Sequence, residues 1–134
     1  MSSAGKILVI DDNELVLQRV KARLLRESYD VTTKAEPVGV GAHLPLCDIV
    51  ILDFHMPGMN GRELLQSLQT IGADGAAKPL YFLYTSDSEA SRGYRELGFD
   101  GTLVNKGNDE SLVQQLSVAL RLAKLRRKLG PTKH

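Results

Sequence analysis

The stretch CDIVILDFHMPGMNG, residues 47–61, decides how the chain folds. Within it, Ile49, Val50, Ile51 and Leu52 form an unbroken β-branched and aliphatic run. A run this short and this apolar reads as a strand buried on both faces, as in a parallel sheet. It ends on Asp53, and a loop rich in Pro, Gly and Asn follows at once. A carboxylate at the end of a buried strand is poorly hydrated, so it needs a partner or a metal.

Working outward, residues 6–10 form a second apolar strand that runs straight into Asp11, Asp12 and Asn13. From 13 to about 27, Leu15, Val16, Val20, Leu24 and Leu25 recur at helical spacing between basic residues. A more polar strand over 29–34 suits a sheet edge. A short helix is expected over 37–44, weakened by Gly39 and Gly41. After the central strand, 61–71 is helical, with Leu64, Leu65 and Leu68 on one face. Residues 72–78 form a small-residue loop, and 79–84 a fourth strand that ends at the helix-entry residues Thr85, Ser86 and Asp87. A helix over 88–97 stops at Gly98, a strand at 101–105 leads into Lys106 and Gly107, and a long helix covers 109–129.

Five strands alternating with five helices predict an α/β fold, a doubly wound five-stranded parallel sheet with helices on both faces. In the flavodoxin-like strand order 2-1-3-4-5, sites form beyond the carboxyl ends of the strands, where the order reverses between strands one and three. Here those strands end in Asp11-Asp12 and Asp53.

Composition narrows the function. The 134 residues suit one domain, expected over 6–129, with a disordered 1–5 and a tail at 130–134. Apolar residues are 43% and charged residues 25%, ordinary for a globular chain. A net charge of +1 gives no field to recruit nucleic acid or an anionic membrane. The single cysteine, Cys47, reads as an inert buried thiol in a reducing compartment. With neither a membrane span nor a signal peptide in the pattern, the expected location is cytoplasmic.

Each polar residue at the strand ends has a plain structural use taken singly. Asp12 or Asn13 can cap a helix, Asp53 can be a turn acid, Thr85 can cap the fourth helix, and Lys106 can be a solvated loop cation. Together they place three acids, a hydroxyl and a lysine on one edge of the sheet. Three close carboxylates repel one another unless a cation sits among them. An all-oxygen site favours a hard ion, Mg²⁺ or Mn²⁺. Lys106 suits an incoming phosphoryl group, whose oxygens the Thr85 hydroxyl and backbone N–H groups can bind. Asp53, the single acid after the central strand, is the natural nucleophile, and its attack would give an acyl phosphate.

These residues resemble a response-regulator receiver domain, the phosphoacceptor module of two-component signalling. The resemblance rests on ILVIDDN at 7–13, ILDFHMPGMNG at 51–61, YTS at 84–86 and Lys106. It implies that Asp53 accepts a phosphoryl group from a histidine kinase or phosphotransfer protein. It also implies that Asp12, Asp53 and the His55 backbone carbonyl bind Mg²⁺ directly, and Asp11 through water. Thr85, with Ser86 beside it, and Lys106 would contact the phosphoryl oxygens, while His55 and Asp87 would overhang the phosphoryl group and tune its lifetime. His43 is expected to be a surface residue only.

Three positions depart from the family pattern. Leu103 stands where an inward-swinging aromatic is usual, and Gly107 where a proline commonly follows the lysine. The loop after the fifth strand is therefore expected to be more mobile. Asn60 replaces a common acid. The changes at 103 and 107 leave the phosphorylation chemistry intact but touch the usual route of signal propagation.

The last helix is long for the sheet, on the order of 31 Å against ~17–20 Å for a strand. Leu112, Leu116, Ala119 and Ala123 should face the sheet, leaving Val118, Leu122, Leu125 and Leu129 as a separate stripe among Arg121, Lys124, Arg126, Arg127 and Lys128. That pattern fits a homodimer or a lead into an effector, and equally a solvated helix end. Direct nucleic-acid binding has no reading element to support it.

The expected function is a phosphorylation-switched signalling module rather than an enzyme, at most phosphorylating itself from small donors and dephosphorylating itself. One rival is a receiver-like docking module that no longer switches. A flavodoxin-like FMN domain would need a phosphate loop where Asp11 and Asp12 repel phosphate. A haloacid-dehalogenase-type phosphatase would need an acid where His55 stands.

Overall fold

The computed structural model describes residues 4–36, 44, 47–53, 55–56, 59–72 and 79–129. Strand β1 (Lys6–Ile10) leads into helix α1 (Glu14–Arg26) and strand β2 (Asp30–Lys34). The central strand β3 (Ile49–Leu52) is followed by a small antiparallel hairpin, β4 (His55–Met56) and β5 (Met59–Asn60), and by α2 (Gly61–Gly72). Then come β6 (Leu80–Tyr84), the short helices α3 (Ser88–Arg92) and α4 (Tyr94–Leu97), β7 (Gly101–Leu103) and α5 (Asp109–Leu129).

The main sheet has the order β2-β1-β3-β6-β7 and is parallel throughout. Counted as sheet strands alone, that is 2-1-3-4-5, as the sequence predicts. Every residue of β3 and β6 is buried, and all of β1 after Lys6. The edge strand β2 buries only Val31 fully, which accounts for its polar composition. Alternate strand residues feed two cores. Ile7, Val9, Ile49, Ile51, Phe82 and Leu103 pack with α1 and α5 on one face, and Leu8, Ile10, Val50, Leu52, Tyr81 and Leu83 pack with α2 and α3 on the other. Helices therefore cover both faces.

The helical faces divide as the spacing predicts in α2, where Leu64, Leu65 and Leu68 are buried, and in α5, where Leu112, Leu116, Ala119 and Ala123 are buried. Val118, Leu122 and Leu125 are exposed, and Ala123 is the last buried residue of the helix among those described. The final turns of α5 thus run past the sheet. In α1 the division differs from the expected one: Leu15 and Leu25 are exposed, and Leu17 joins Val20 and Leu24 in the core. Leu17, Val20 and Leu24, spaced three and four residues apart, form the stripe that enters the core, and Val16 packs against it half-buried.

The helix expected over 88–97 is broken at Gly93, which closes α3 and opens α4. Glycine is the weakest non-proline helix former, and here it ends one element and starts another. The α4 segment does stop at Gly98, as expected. The short helix expected over 37–44 lies outside the described residues except for Leu44, which is fully buried. His43 also lies outside them. Cys47 is buried in the α2-side core. Gly101 pairs in register with Phe82, and a Cβ there would run into the Phe82 ring, so the edge strand can approach β6 only with glycine at this point. Among the described residues, no helix is long and apolar enough to cross a membrane.

Tyr81 ties β6 to α2, its hydroxyl donating to the Leu68 carbonyl at 3.2 Å. Burial, with the nearby Asp100 and Cys47, pushes its phenol up to about 12 from the usual 10.0. An unfolded chain releases this proton near pH 10 while the folded one holds it. Stability should therefore fall as pH rises from about 10 toward about 12. Denaturant melts across that range should show the loss, and Tyr81→Phe should make the decline shallower; an equal slope in the variant would contradict the assignment.

Candidate functional site

The switch point of the sheet lies between β1 and β3, whose carboxyl ends deliver Asp11 and Asp53 to one crevice. Asp12 joins them. A carboxylate oxygen from each of Asp11, Asp12 and Asp53 lies within 4.8 Å of the others. Asp11 is buried, Asp53 nearly so, and Asp12 exposed.

Local chemistry explains why the three point together. Asn13 is the N-cap of α1, its side chain accepting from the N–H groups of Leu15 and Val16. This leaves Asp11 and Asp12 free of the capping role. Asp11 Oδ1 instead accepts from the Asn13 N–H at 2.9 Å, which turns the chain at the end of β1. The Asp53 N–H donates to the Ile10 carbonyl at 3.0 Å, fixing the end of β3 beside the end of β1.

The cation comes from the far edge of the sheet. Lys106 Nζ donates to Asp11 Oδ2 at 2.8 Å and stands 3.6 Å from Asp53 Oδ1. Its side chain is 15% exposed, against 4% for Asp11 and 11% for Asp53, so solvent screens these pairs only weakly. Three carboxylates against one ammonium leave a formal charge of two negative in the crevice (3 − 1 = 2). A divalent cation would balance it, and an all-oxygen donor set suits a hard one. The residues present fit such an ion.

Thr85 follows β6 and is buried, and its Oγ1 accepts from the Asp87 N–H at 3.1 Å. Asp87, rather than Thr85 or Ser86, is the N-cap of α3, accepting from Glu89 and Ala90. Thr85, the exposed Ser86 and Asp87 thus occupy the rim one strand over from Asp53. His55 opens the hairpin two residues beyond Asp53 and pairs with Asn60. Leu103 is buried in the α5-side core opposite Tyr84, away from solvent. The structure therefore gathers Asp11, Asp12, Asp53 and Lys106 directly, places Thr85, Ser86 and Asp87 on the loop after β6 and His55 in the hairpin after β3, and buries Leu103 in the core.

Two contacts were not foreseen from the sequence. Tyr84 lies under the Lys106 ammonium, 5.6 Å from Nζ to the ring centroid, and its hydroxyl accepts from the Gly107 N–H at 3.4 Å. Burial raises the Tyr84 phenol above its usual range. Gln115 of α5 grips Val104, accepting from its N–H at 2.8 Å and donating to its carbonyl at 2.9 Å. The only sequence signals were the tyrosine that closes β6 and a glutamine one residue before the buried Leu116 of α5.

A doubly wound parallel sheet with an acid crevice and a lysine at its switch point defines a class, the flavodoxin-like domains with a carboxylate-lined crevice. The response regulator receiver domain model matches residues 7–117, and the chain belongs to that family, the receiver domains of two-component response regulators. It is 29% identical over 120 residues to protein PilH of Pseudomonas aeruginosa, covering 87% of this chain and 98% of that protein. It is 30% identical over 118 residues to the nitrate/nitrite response regulator protein NarL of Escherichia coli, covering 84% of this chain but 53% of NarL. The chain therefore spans nearly the whole of one relative and about half of another. Among solved structures, a response regulator receiver domain protein from Clostridium thermocellum superposes with a TM-score of 0.72 at 26% identity, covering 93% of this chain and 98% of that one.

Like-charge crowding makes a direct test available. In metal-free buffer Asp12→Ala should raise the urea midpoint, by a few tenths to about 1 kcal/mol in stability, because it removes an exposed acid facing two others. A lowered midpoint would contradict the repulsion described here.

Proposed function

We propose that Asp53 is the phosphoacceptor of a Mg²⁺-dependent switch, charged by a histidine kinase or a histidine phosphotransfer protein. The observation that carries this reading is the ammonium of Lys106 shared by Asp11 and Asp53, at 2.8 and 3.6 Å, on the edge of the sheet where ligands bind. Asp11, Asp12, Asp53 and the His55 backbone carbonyl are the groups we assign to Mg²⁺, with Mn²⁺ as a substitute of similar chemistry. When bound, the ion supplies charge balance for the carboxylates and the incoming phosphoryl oxygens.

In the transfer, an Asp53 carboxylate oxygen attacks the phosphorus of a phosphohistidine. The P–N bond breaks, its electron pair stays on the imidazole nitrogen, which takes up a proton, and Asp53 becomes an acyl phosphate. Lys106 offers its ammonium to a phosphoryl oxygen while remaining tethered by Asp11. Thr85 and Ser86 offer hydroxyls from the end of β6, and to His55 and Asp87 we assign control of water access to the acyl phosphate. The chain acts stoichiometrically in this reading, working in the cytoplasm, with self-phosphorylation and autodephosphorylation as its only turnover. The exposed α5 stripe of Val118, Leu122 and Leu125 is the surface we assign to a second copy or an effector. The aliphatic Leu103 favours one other reading, a docking module without a switch; that module would keep its partner affinity unchanged on phosphorylation.

Intact-mass spectrometry with acetyl phosphate and Mg²⁺ should show one added phosphoryl group on the wild type and none on Asp53→Asn. Stoichiometric uptake by Asp53→Asn would remove Asp53 as the acceptor. Lys106→Ala should retain Mg²⁺ binding but show a weak shift in size-exclusion volume or partner affinity after phosphorylation; a full wild-type shift would deny Lys106 its role.

A further inference from the structure

Gly107 has φ +102°, in the left-handed region, with no atom within 4 Å of where a Cβ would lie. Its N–H donates to the Tyr84 hydroxyl at 3.4 Å. A proline here could satisfy neither condition, since its ring fixes φ near about −65° and it has no N–H. Any other L residue would keep the N–H but be strained by φ. The glycine donor and the tyrosine acceptor are thus a matched pair, and each accounts for the other.

The same tyrosine reaches the residue before. Its ring lies 5.6 Å from Lys106 Nζ, within the range of cation–π attraction, and the side chain is only 2% exposed. It ends β6, buried between its neighbours in the sheet, so it has little freedom to follow a moving loop. On the other side of Lys106, Gln115 holds both backbone groups of Val104. The 104–107 segment is therefore fastened at both ends, by a glutamine from α5 and a tyrosine from β6. Both contacts hold the backbone on either side of Lys106.

We propose that Tyr84 is a positioning residue for Lys106: its ring fixes the height of the ammonium beside Asp11 and Asp53, and its hydroxyl anchors the peptide that follows. The role extends the phosphoacceptor reading, because Lys106 matters there as the partner of a phosphoryl oxygen. The hydroxyl and the ring make separable contributions. Tyr84→Phe removes only the acceptor for Gly107, whereas Tyr84→Leu removes the aromatic face as well.

The test pairs a structural readout with a binding one on the full chain. Amide hydrogen exchange at Gly107 should quicken on the order of three- to tenfold in Tyr84→Phe, the worth of one modest hydrogen bond. Lys106 side-chain protons should keep their ring-current shift in Tyr84→Phe and lose it in Tyr84→Leu. With Mg²⁺ present, beryllofluoride affinity should fall roughly three- to tenfold in Tyr84→Phe and further in Tyr84→Leu, while Mg²⁺ affinity stays within about twofold of the wild type. Unchanged Gly107 exchange together with unchanged beryllofluoride affinity in both variants would overturn the proposal. So would a parallel loss of Mg²⁺ and beryllofluoride affinity, which marks general damage to the fold. A wild type that binds no beryllofluoride would instead sink the phosphoacceptor reading, and the exchange rate and ring-current shift would still decide whether Tyr84 positions Lys106.

Discussion

The contact on which the site depends is the weakly screened ion pair of Lys106 with Asp11, shared at longer range with Asp53. It joins residues 95 apart in sequence and closes the crevice across the carboxyl ends of the sheet. Carboxylates this close and this dry oppose folding unless a cation is supplied. Lys106 supplies one charge, and a divalent ion would balance the remainder. A single loop lysine thus serves both the stability of the resting protein and the chemistry proposed for it.

The scaffold around that pair follows from the strands. Ile49–Leu52 announces its own burial because no face of it could tolerate water, and β1 and β6 do the same. Once such strands alternate with helices, handedness leaves few ways to order them, and in the observed order the acids at the ends of β1 and β3 converge. The face of α2 was equally plain, and in α5 the spacing separated Leu112, Leu116, Ala119 and Ala123 from the exposed stripe of Val118, Leu122 and Leu125. In α1 six large apolar residues were spread over more than one face, and periodicity could not say that Leu15 and Leu25 would be left outside and Leu17 taken in. Nor could it foresee the break at Gly93, where a tolerable glycine and an intolerable one look the same in a helical pattern.

What lay beyond the sequence is the support for the lysine. The contacts of Tyr84 with Lys106 and Gly107 depend on the register of β6 against β7 and on a left-handed glycine in the following loop, none of which has a local signature. The grip of Gln115 on Val104 likewise joins a helix to a strand end. Read by itself, Gly107 predicts a looser loop; set among these contacts, it provides the N–H that a proline would lack. With the aliphatic Leu103 packed into the α5-side core, it is the Tyr84 ring that meets the Lys106 ammonium.

The central claim is that one acid of the cluster, Asp53, becomes an acyl phosphate while the other two remain free to hold the ion. Borohydride reduction of the phosphodonor-treated protein, followed by peptide mass mapping, reads this directly, because an acyl phosphate is reduced to an alcohol at the residue that carried it. The account predicts conversion of Asp53 to homoserine, dependent on Mg²⁺, with Asp11 and Asp12 intact. Reduction at Asp11 or Asp12, or none at any of the three, would contradict it.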